Sequence, residues 1–195
     1  MIEDLVKPER TGKKYKFQEP IDENKIPETT WAYLAGFIDG EANLNFEKKK
    51  RPDCKYGFNW SLKIQIYSGN QDQIYRLRDR MGTGPIYRGN RKETPYVTYT
   101  LGYFGNNLKV VLERTLPYLI LKRKSAEIMI EAYKTIIVSR PSFVREQKIQ
   151  KLYDDFYYDF VTRVHRQKYL IETGKIILDS LEKELSNQPC EKGKE

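Results

Sequence analysis

The sequence lacks a long apolar run, and it has little cysteine or histidine. None of its apolar stretches approaches the roughly 20 residues that cross a bilayer, and residues 1–4 lack the basic and then apolar pattern of a signal peptide. Cys54 and Cys190 are far apart and outside any metal-ligand spacing, and His165, the one histidine, is expected to be structural. These absences argue against export, a disulfide framework and a zinc site. They favour an intracellular protein, in a prokaryotic cytoplasm or in a eukaryotic organelle or nucleus.

Charge is abundant instead, and it is concentrated. Of the 195 residues, 32% are charged, 39% hydrophobic and 13% aromatic, which is typical of a folded protein with a very polar surface. The formal net charge is +8, and residues 44–96 alone hold twelve basic and five acidic side chains. A concentrated basic region is typical of proteins that bind a polyanion such as a nucleic acid. The alternative is a solvated basic surface without a ligand.

Composition and periodicity divide the chain into three segments. Residues 1–28, rich in proline and charge, are expected to form an N-terminal extension outside the core. Residues 29–140 are predicted to form the core domain, and residues 141–195 a C-terminal helical extension of it. Apolar spacing predicts the order helix, strand, strand, helix, strand, strand, helix, at residues 29–40, 42–51, 58–67, 70–82, 85–91, 96–103 and 106–116. Further helices are predicted at 122–138, 143–158 and 159–184, and the fold class is therefore α+β, with an antiparallel sheet.

Asp39, Gly40 and Glu41 stand at the end of the first predicted helix, for which Thr29 or Thr30 is the expected N-cap. Carboxylates at this negative end of the helix dipole are unfavourable by about 0.3–1 kcal/mol each unless a cation is near. Carboxylate and carbonyl oxygens are ligands that suit Mg²⁺. The alternative is a solvated pair of acids near a helix end.

Residues 34–42, with the sequence LAGFIDGEA, resemble the LAGLIDADG signature of homing endonucleases, with departures at Phe37, Gly40, Glu41 and Ala42. Residues 62–66, 81–86 and 116–124 resemble three later segments of that family, so that the resemblance covers about residues 30–138. It implies an αββαββα core with a saddle-shaped antiparallel sheet. It also implies site-specific cleavage of both strands of a long pseudo-palindromic double-stranded DNA target.

The resemblance also assigns residues to roles. Because one signature is present, it implies a homodimer, with Ala35 and Gly36 at the contact between signature helices. Glu41 corresponds to the metal-binding carboxylate and the Gly40 carbonyl to a second ligand, for Mg²⁺, with Mn²⁺ or Ca²⁺ able to substitute for binding. Lys122 matches the active-site lysine. Ser68 falls where the family often has a glutamine, and this leaves Gln71, Gln73 and Arg76 as candidates for the peripheral catalytic positions.

The outward face of the predicted sheet supplies side chains suited to reading DNA, since Lys and Arg pair with guanine and Asn or Gln with adenine in the major groove. The candidates are Asn43, Asn45, Glu47, Lys49, Asn59, Ser61, Lys63, Gln65, Tyr87, Arg88, Arg91, Tyr96, Thr98 and Thr100. Lys48, Lys50, Lys55, Arg88, Arg91 and Lys92 are expected to contact phosphates. Two alternatives remain open on the same fold: a maturase that binds intron RNA, and a DNA-binding regulator without catalysis.

Overall fold

The computed structural model describes residues 19–90, 97–138 and 141–186. The predicted DNA contacts Arg91, Lys92 and Tyr96, and most of the predicted N-terminal extension, lie outside the described residues. The elements are helix α1 (Glu28–Glu41), strands β1 (Ala42–Lys50) and β2 (Phe58–Ser68), helix α2 (Gln71–Met81), strands β3 (Ile86–Asn90) and β4 (Val97–Phe104), and helices α3 (Gly105–Thr115), α4 (Arg123–Val138) and α5 (Phe143–Ser186). This order confirms the predicted α+β class and its αββαββα core.

The four described strands form one sheet in the order β1-β2-β4-β3. β4 pairs antiparallel with both β2 and β3, and Leu101 is the cross-strand partner of Ile66 on one side and of Ile86 on the other. Successive side chains of a strand point to opposite faces, and the alternation is clear in β2, where Trp60, Ile64 and Ile66 are buried. One face of the sheet therefore supplies core, and the other is available for polar contacts.

The chain divides into two compact units. The first comprises the described residues up to Asn43 together with Lys63–Tyr118, and the second comprises Leu44–Leu62 and the chain from Leu119 onward. The core of the first unit contains the fully buried side chains Trp31, Leu34, Ile38, Ile74, Leu77, Leu101, Leu108 and Leu112. The ends of β1 and β2 that border the hairpin turn thus group with α4 and α5.

Part of the predicted N-terminal extension is packed rather than peripheral, which corrects that expectation for residues 19–26. Ile21 and Ile26 are buried. The buried side chain of Asn107, in α3, accepts a hydrogen bond from the Ile21 N–H at 3.0 Å and donates one to the Glu19 carbonyl at 2.8 Å. Because an amide side chain carries both a donor and an acceptor, Asn107 can bond a backbone N–H and a backbone carbonyl at the same time.

The ends of two helices differ from prediction. The N-cap of α1 is Pro27, whose carbonyl accepts the Thr30 N–H at 2.9 Å, so neither Thr29 nor Thr30 caps the helix. The two predicted C-terminal helices are one continuous α5 of 44 residues. Residues 143–173 contain no glycine or proline, so nothing in this stretch ends a helix. None of the described helices is long and apolar enough to cross a membrane.

Candidate active site and nucleic-acid interface

Glu41 is the last residue of α1, and its side chain is exposed. The helix is anchored by Trp31, Leu34 and Ile38, which are fully buried. Its last turn contains no basic residue, and the Glu41 carboxylate has no hydrogen bond or ion pair within the part of the chain that the structure describes. The Glu41 carboxylate therefore lies at the negative end of α1 without a cationic partner among the described residues.

The donor set at this helix end fits a hard cation. Glu41 supplies a carboxylate, and the exposed Gly40 brings no side chain to cover the backbone of the last turn. Mg²⁺ takes one or two carboxylates and keeps several waters, so a site with few protein ligands is appropriate. Across residues 19–90, 97–138 and 141–186, no group of three or more His, Cys, Asp or Glu could hold a metal ion. One described chain thus provides a partial ligand set.

Lys122 directly precedes α4, and its carbonyl accepts the Ala126 N–H at 2.9 Å, so its backbone belongs to the first turn of that helix. The turn is held from α5: the buried Ser125 hydroxyl donates to Asp159 Oδ2 at 2.6 Å, and Arg163 donates to Ser125 Oγ at 3.0 Å. Glu41 lies in the first unit and Lys122 in the second. Each is therefore carried by a well-anchored helix of its own unit.

The candidates for the peripheral positions lie at the start of α2. Ser68 Oγ donates to Gln73 Oε1 at 2.7 Å, and the Gln71 side chain accepts the Tyr99 hydroxyl at 2.7 Å. Gln73 and Arg76 line a polar cavity of about 330 Å³, together with Tyr33, Asn70, Asp72, Leu77 and Arg80. Gln71 is not among the residues that line this cavity, so the structure separates the candidates into two environments.

The two residues of α1 that were predicted to contact a second copy, Ala35 and Gly36, differ in burial. Ala35 is 0% exposed and belongs to the core of its own chain, so it offers no surface to a second copy. Gly36 is exposed, and a Cβ built on it would meet nothing within 4 Å; the same is true of Gly40. The sequence motif could not separate the two residues, because they are adjacent and both small, and rotation about the helix axis decides which one faces outward.

The polar sheet face carries most of the predicted DNA contacts. Exposed or half-buried side chains are those of Asn43, Asn45, Glu47, Lys49, Asn59, Ser61, Lys63, Gln65, Tyr87, Arg88 and Thr98. Thr100 is buried, in contrast to its predicted outward role. Its cross-strand partners are Tyr67 and Tyr87, and partners of this kind share one sheet face. Two large neighbours on the same face explain the loss of exposure.

The profile of the LAGLIDADG endonuclease family matches residues 34–135, about half of the chain. The chain belongs to this family. The LAGLIDADG chain is 27% identical to the DNA endonuclease I-CvuI of Chlorella vulgaris over 108 residues, which are 54% of this chain and 65% of I-CvuI. It is 26% identical to I-CreI of Chlamydomonas reinhardtii over 162 residues, 80% of this chain and 93% of I-CreI.

Solved structures agree with this assignment at the level of the fold. A crystal structure of I-CvuI in complex with the I-CreI target matches with a TM-score of 0.55 and 19% identity, covering 68% of this LAGLIDADG chain and 82% of I-CvuI. The archaeal intron-encoded homing endonuclease I-Vdi141I, complexed with DNA, matches with a TM-score of 0.58 and 17% identity, covering 68% and 84%. The profile match thus confirms the family predicted from the four sequence segments, and these structures confirm its fold.

Proposed function

We propose that this LAGLIDADG chain is a site-specific homing endonuclease that hydrolyses phosphodiester bonds in both strands of a long pseudo-palindromic DNA target. The observation that carries the proposal is the Glu41 carboxylate, exposed at the end of the signature helix without a cationic partner among the described residues. A protein that only binds DNA gains nothing from an acidic group directed at phosphates. The relatives I-CvuI and I-CreI are named as DNA endonucleases.

Divalent metal is part of the proposal. Glu41 and the Gly40 carbonyl would hold Mg²⁺, and Mn²⁺ or Ca²⁺ would substitute for binding. When bound, the ion supplies a water of lowered pKa and stabilises the leaving oxygen. Lys122, in the role implied by the family resemblance, offsets negative charge that develops on the phosphate. Gln71 and Arg76 remain the proposed peripheral residues, which organise water and phosphate around that charge.

A homodimer completes the proposed site. Ala32, Gly36 and Gly40 recur every four residues and lie on one face of α1, where none of them is buried. Small side chains at this spacing allow two helices to approach closely, and each copy then brings one Glu41. Within the second unit, Ile120 and Leu121 are 84% and 55% exposed immediately before Lys122. A second copy would remove such apolar side chains from water, which is favourable.

Double-stranded DNA is the proposed partner of the polar sheet face. A β-ribbon fits the major groove, and the side chains of Asn, Gln, Lys and Arg read base edges there. Asn43, Asn59, Lys49 and Arg88 are the exposed members of the predicted set with these side chains.

The decisive experiment is selection of cleaved sequences from a randomised DNA library with Mg²⁺, for the wild type and for Glu41→Gln. We expect staggered double-strand breaks in a pseudo-palindromic sequence from the wild type, and a loss of at least about a hundredfold in rate for the variant, because a ligand of the charge-stabilising ion is removed. Glu172→Gln, which removes the charge of another exposed glutamate, is the matched control and should cut normally.

Omission of metal should abolish cleavage by the wild type and the control alike. If the wild type does not cut but still enriches a common DNA or intron RNA sequence, catalysis is wrong and the regulator or maturase alternative replaces it. If Glu41→Gln cuts as fast as the wild type, the role of Glu41 is wrong whatever the target.

A further inference from the structure

β1 ends in a run of basic residues, and the structure gives its first member a different environment from the others. Lys48 occupies the same face of the strand as Leu44 and Phe46, both of which are buried. Lys49 instead follows Asn43, Asn45 and Glu47 on the polar face. Charge alone predicted phosphate contacts for Lys48 and Lys50, and alternation places both on the same face of β1. What distinguishes Lys48 is the set of contacts that its ammonium group makes within the chain.

The ammonium group of Lys48 is held by three side chains. Its Nζ donates to Gln150 Oε1 of α5 at 2.8 Å and lies 4.1 Å from the ring centroid of Phe58 and 5.3 Å from that of Trp60. A cation at this distance from an aromatic face is attracted by the ring. Lys48 therefore joins the two strands of the β1–β2 hairpin to α5.

The hairpin packs on α5 around this contact, within the second unit. Phe46 lies edge-on to Trp60, Tyr153 and Phe156, with centroid distances of 5.5, 5.4 and 5.8 Å. The Trp60 indole N–H donates to Glu146 Oε2 of α5 at 2.7 Å. The aromatic cluster, the hydrogen bond from Lys48 to Gln150 and the hydrogen bond from Trp60 to Glu146 together attach the hairpin to α5.

We propose that Lys48 is a positioning residue for DNA recognition: by holding the hairpin on Gln150 of α5, it sets where the outer side chains Asn45, Glu47 and Lys49 meet the bases. This inference rests on the proposed function. It differs from a phosphate contact in its expected salt dependence, because each neutralised phosphate contributes close to one unit to the slope of log affinity against log salt.

The test measures binding of the selected DNA target between about 50 and 200 mM salt, in the Glu41→Gln background so that the DNA stays intact. For Lys50→Met, the neighbouring exposed charge, we expect a slope smaller by about one. For Lys48→Met and Gln150→Met we expect an unchanged slope, with affinity for the target over scrambled DNA reduced roughly three- to tenfold. The double variant should lose no more than either single variant, because both remove one link. Lys48→Arg should restore binding.

The attachment of the β1–β2 hairpin to α5 can also be tested without DNA, by hydrogen exchange. Hydrogen exchange of the β1 and β2 amides should accelerate in Lys48→Met and Gln150→Met but not in Lys50→Met. Unchanged exchange overturns the attachment. A smaller salt slope for Lys48→Met, with normal binding by Gln150→Met, overturns positioning in favour of a phosphate contact. If hydrogen exchange is faster in these variants but their preference for the target over scrambled DNA is unchanged, the link between Lys48 and Gln150 is structural only, and the positioning role is wrong. Failure of every variant and of the parent to bind DNA refutes the proposed function, and the recognition role with it, while exchange still reports on the link.

Discussion

The hydroxyl of Tyr103 is buried without a hydrogen-bond partner in the described part of the chain. Tyr103 lies in β4, fully buried against the core. Tyr103→Phe removes the desolvated hydroxyl and keeps the ring, so the free energy of unfolding should stay the same or rise by about 1 kcal/mol. Chemical denaturation measures the change. Tyr158→Phe, at an exposed position of α5, is the matched control and should have no effect.

The same residue predicts a pH dependence. Burial raises the pKa of Tyr103 well above its usual value of about 10. The unfolded chain therefore loses this proton first as pH rises, so the free energy of unfolding does not depend on this group well below pH 10 and falls progressively above it. Between about pH 9 and 11, the wild type should lose more stability than Tyr103→Phe. Parallel curves for the two proteins would contradict the prediction.

Single-residue features were predictable from sequence where a motif carries them, and unpredictable where three-dimensional neighbours decide them. The sequence predicted a helix that ends near Gly40 and places Glu41 at its end, and α1 ends at Glu41, one residue later. Alternation in β4 placed Thr100 on the outer face, but it could not reveal that tyrosines of both adjacent strands flank it. The environment of Lys48 was unpredictable for the same reason: its charge did not reveal that its ammonium group contacts Gln150 and Phe58.

At the scale of elements, the first turn of α4 depends on a polar cluster with α5. Asp159→Ala would leave the buried Ser125 hydroxyl without its acceptor and Arg163 without its carboxylate. We expect a loss of about 1–3 kcal/mol in the free energy of unfolding. Asp155→Ala, at an exposed position of the same helix, should cost far less. Denaturation of the three proteins provides the comparison.

Because Lys122 begins the turn that this cluster holds, Asp159→Ala should also reduce the cleavage rate more than it reduces DNA affinity. Single-turnover cleavage and equilibrium binding, both measured below the unfolding transition, separate the two quantities. If affinity falls and the rate at saturating protein does not, the cluster supports DNA binding rather than the position of Lys122.

Helices and strands whose apolar residues recur at regular spacing were predictable from the sequence. The continuity of α5 across residue 158 was not. Alternation located all four strands, and helical spacing located α1, α2, α3 and α4 within a few residues. The division of α5 into two helices after residue 158 was wrong, because the helix is continuous from Phe143 to Ser186. Only glycine, proline or a cap would have indicated an end, and none occurs there.

For the whole molecule, the central question is whether two copies meet along α1. Gly36 provides a sharp test, because a side chain placed there meets nothing within 4 Å in its own chain. Gly36→Leu should therefore fold normally, while its side chain would separate two closely packed α1 helices. An oversized side chain in a packed contact costs about 1–3 kcal/mol. In a two-fold symmetric dimer, each copy carries the substitution, so the contact is disturbed by both side chains.

We accordingly expect Gly36→Leu to sediment as a monomer at concentrations where the wild type is a dimer, and to lose double-strand cleavage. Glu172→Leu places the same side chain on exposed α5 and should retain both properties. The far-ultraviolet circular dichroism spectra of the two variants should be alike, because both chains should fold. If Gly36→Leu remains dimeric and active, the copies meet through another surface, and the exposed Ile120 and Leu121 become the first candidates, because they are the apolar side chains next to the proposed active-site lysine.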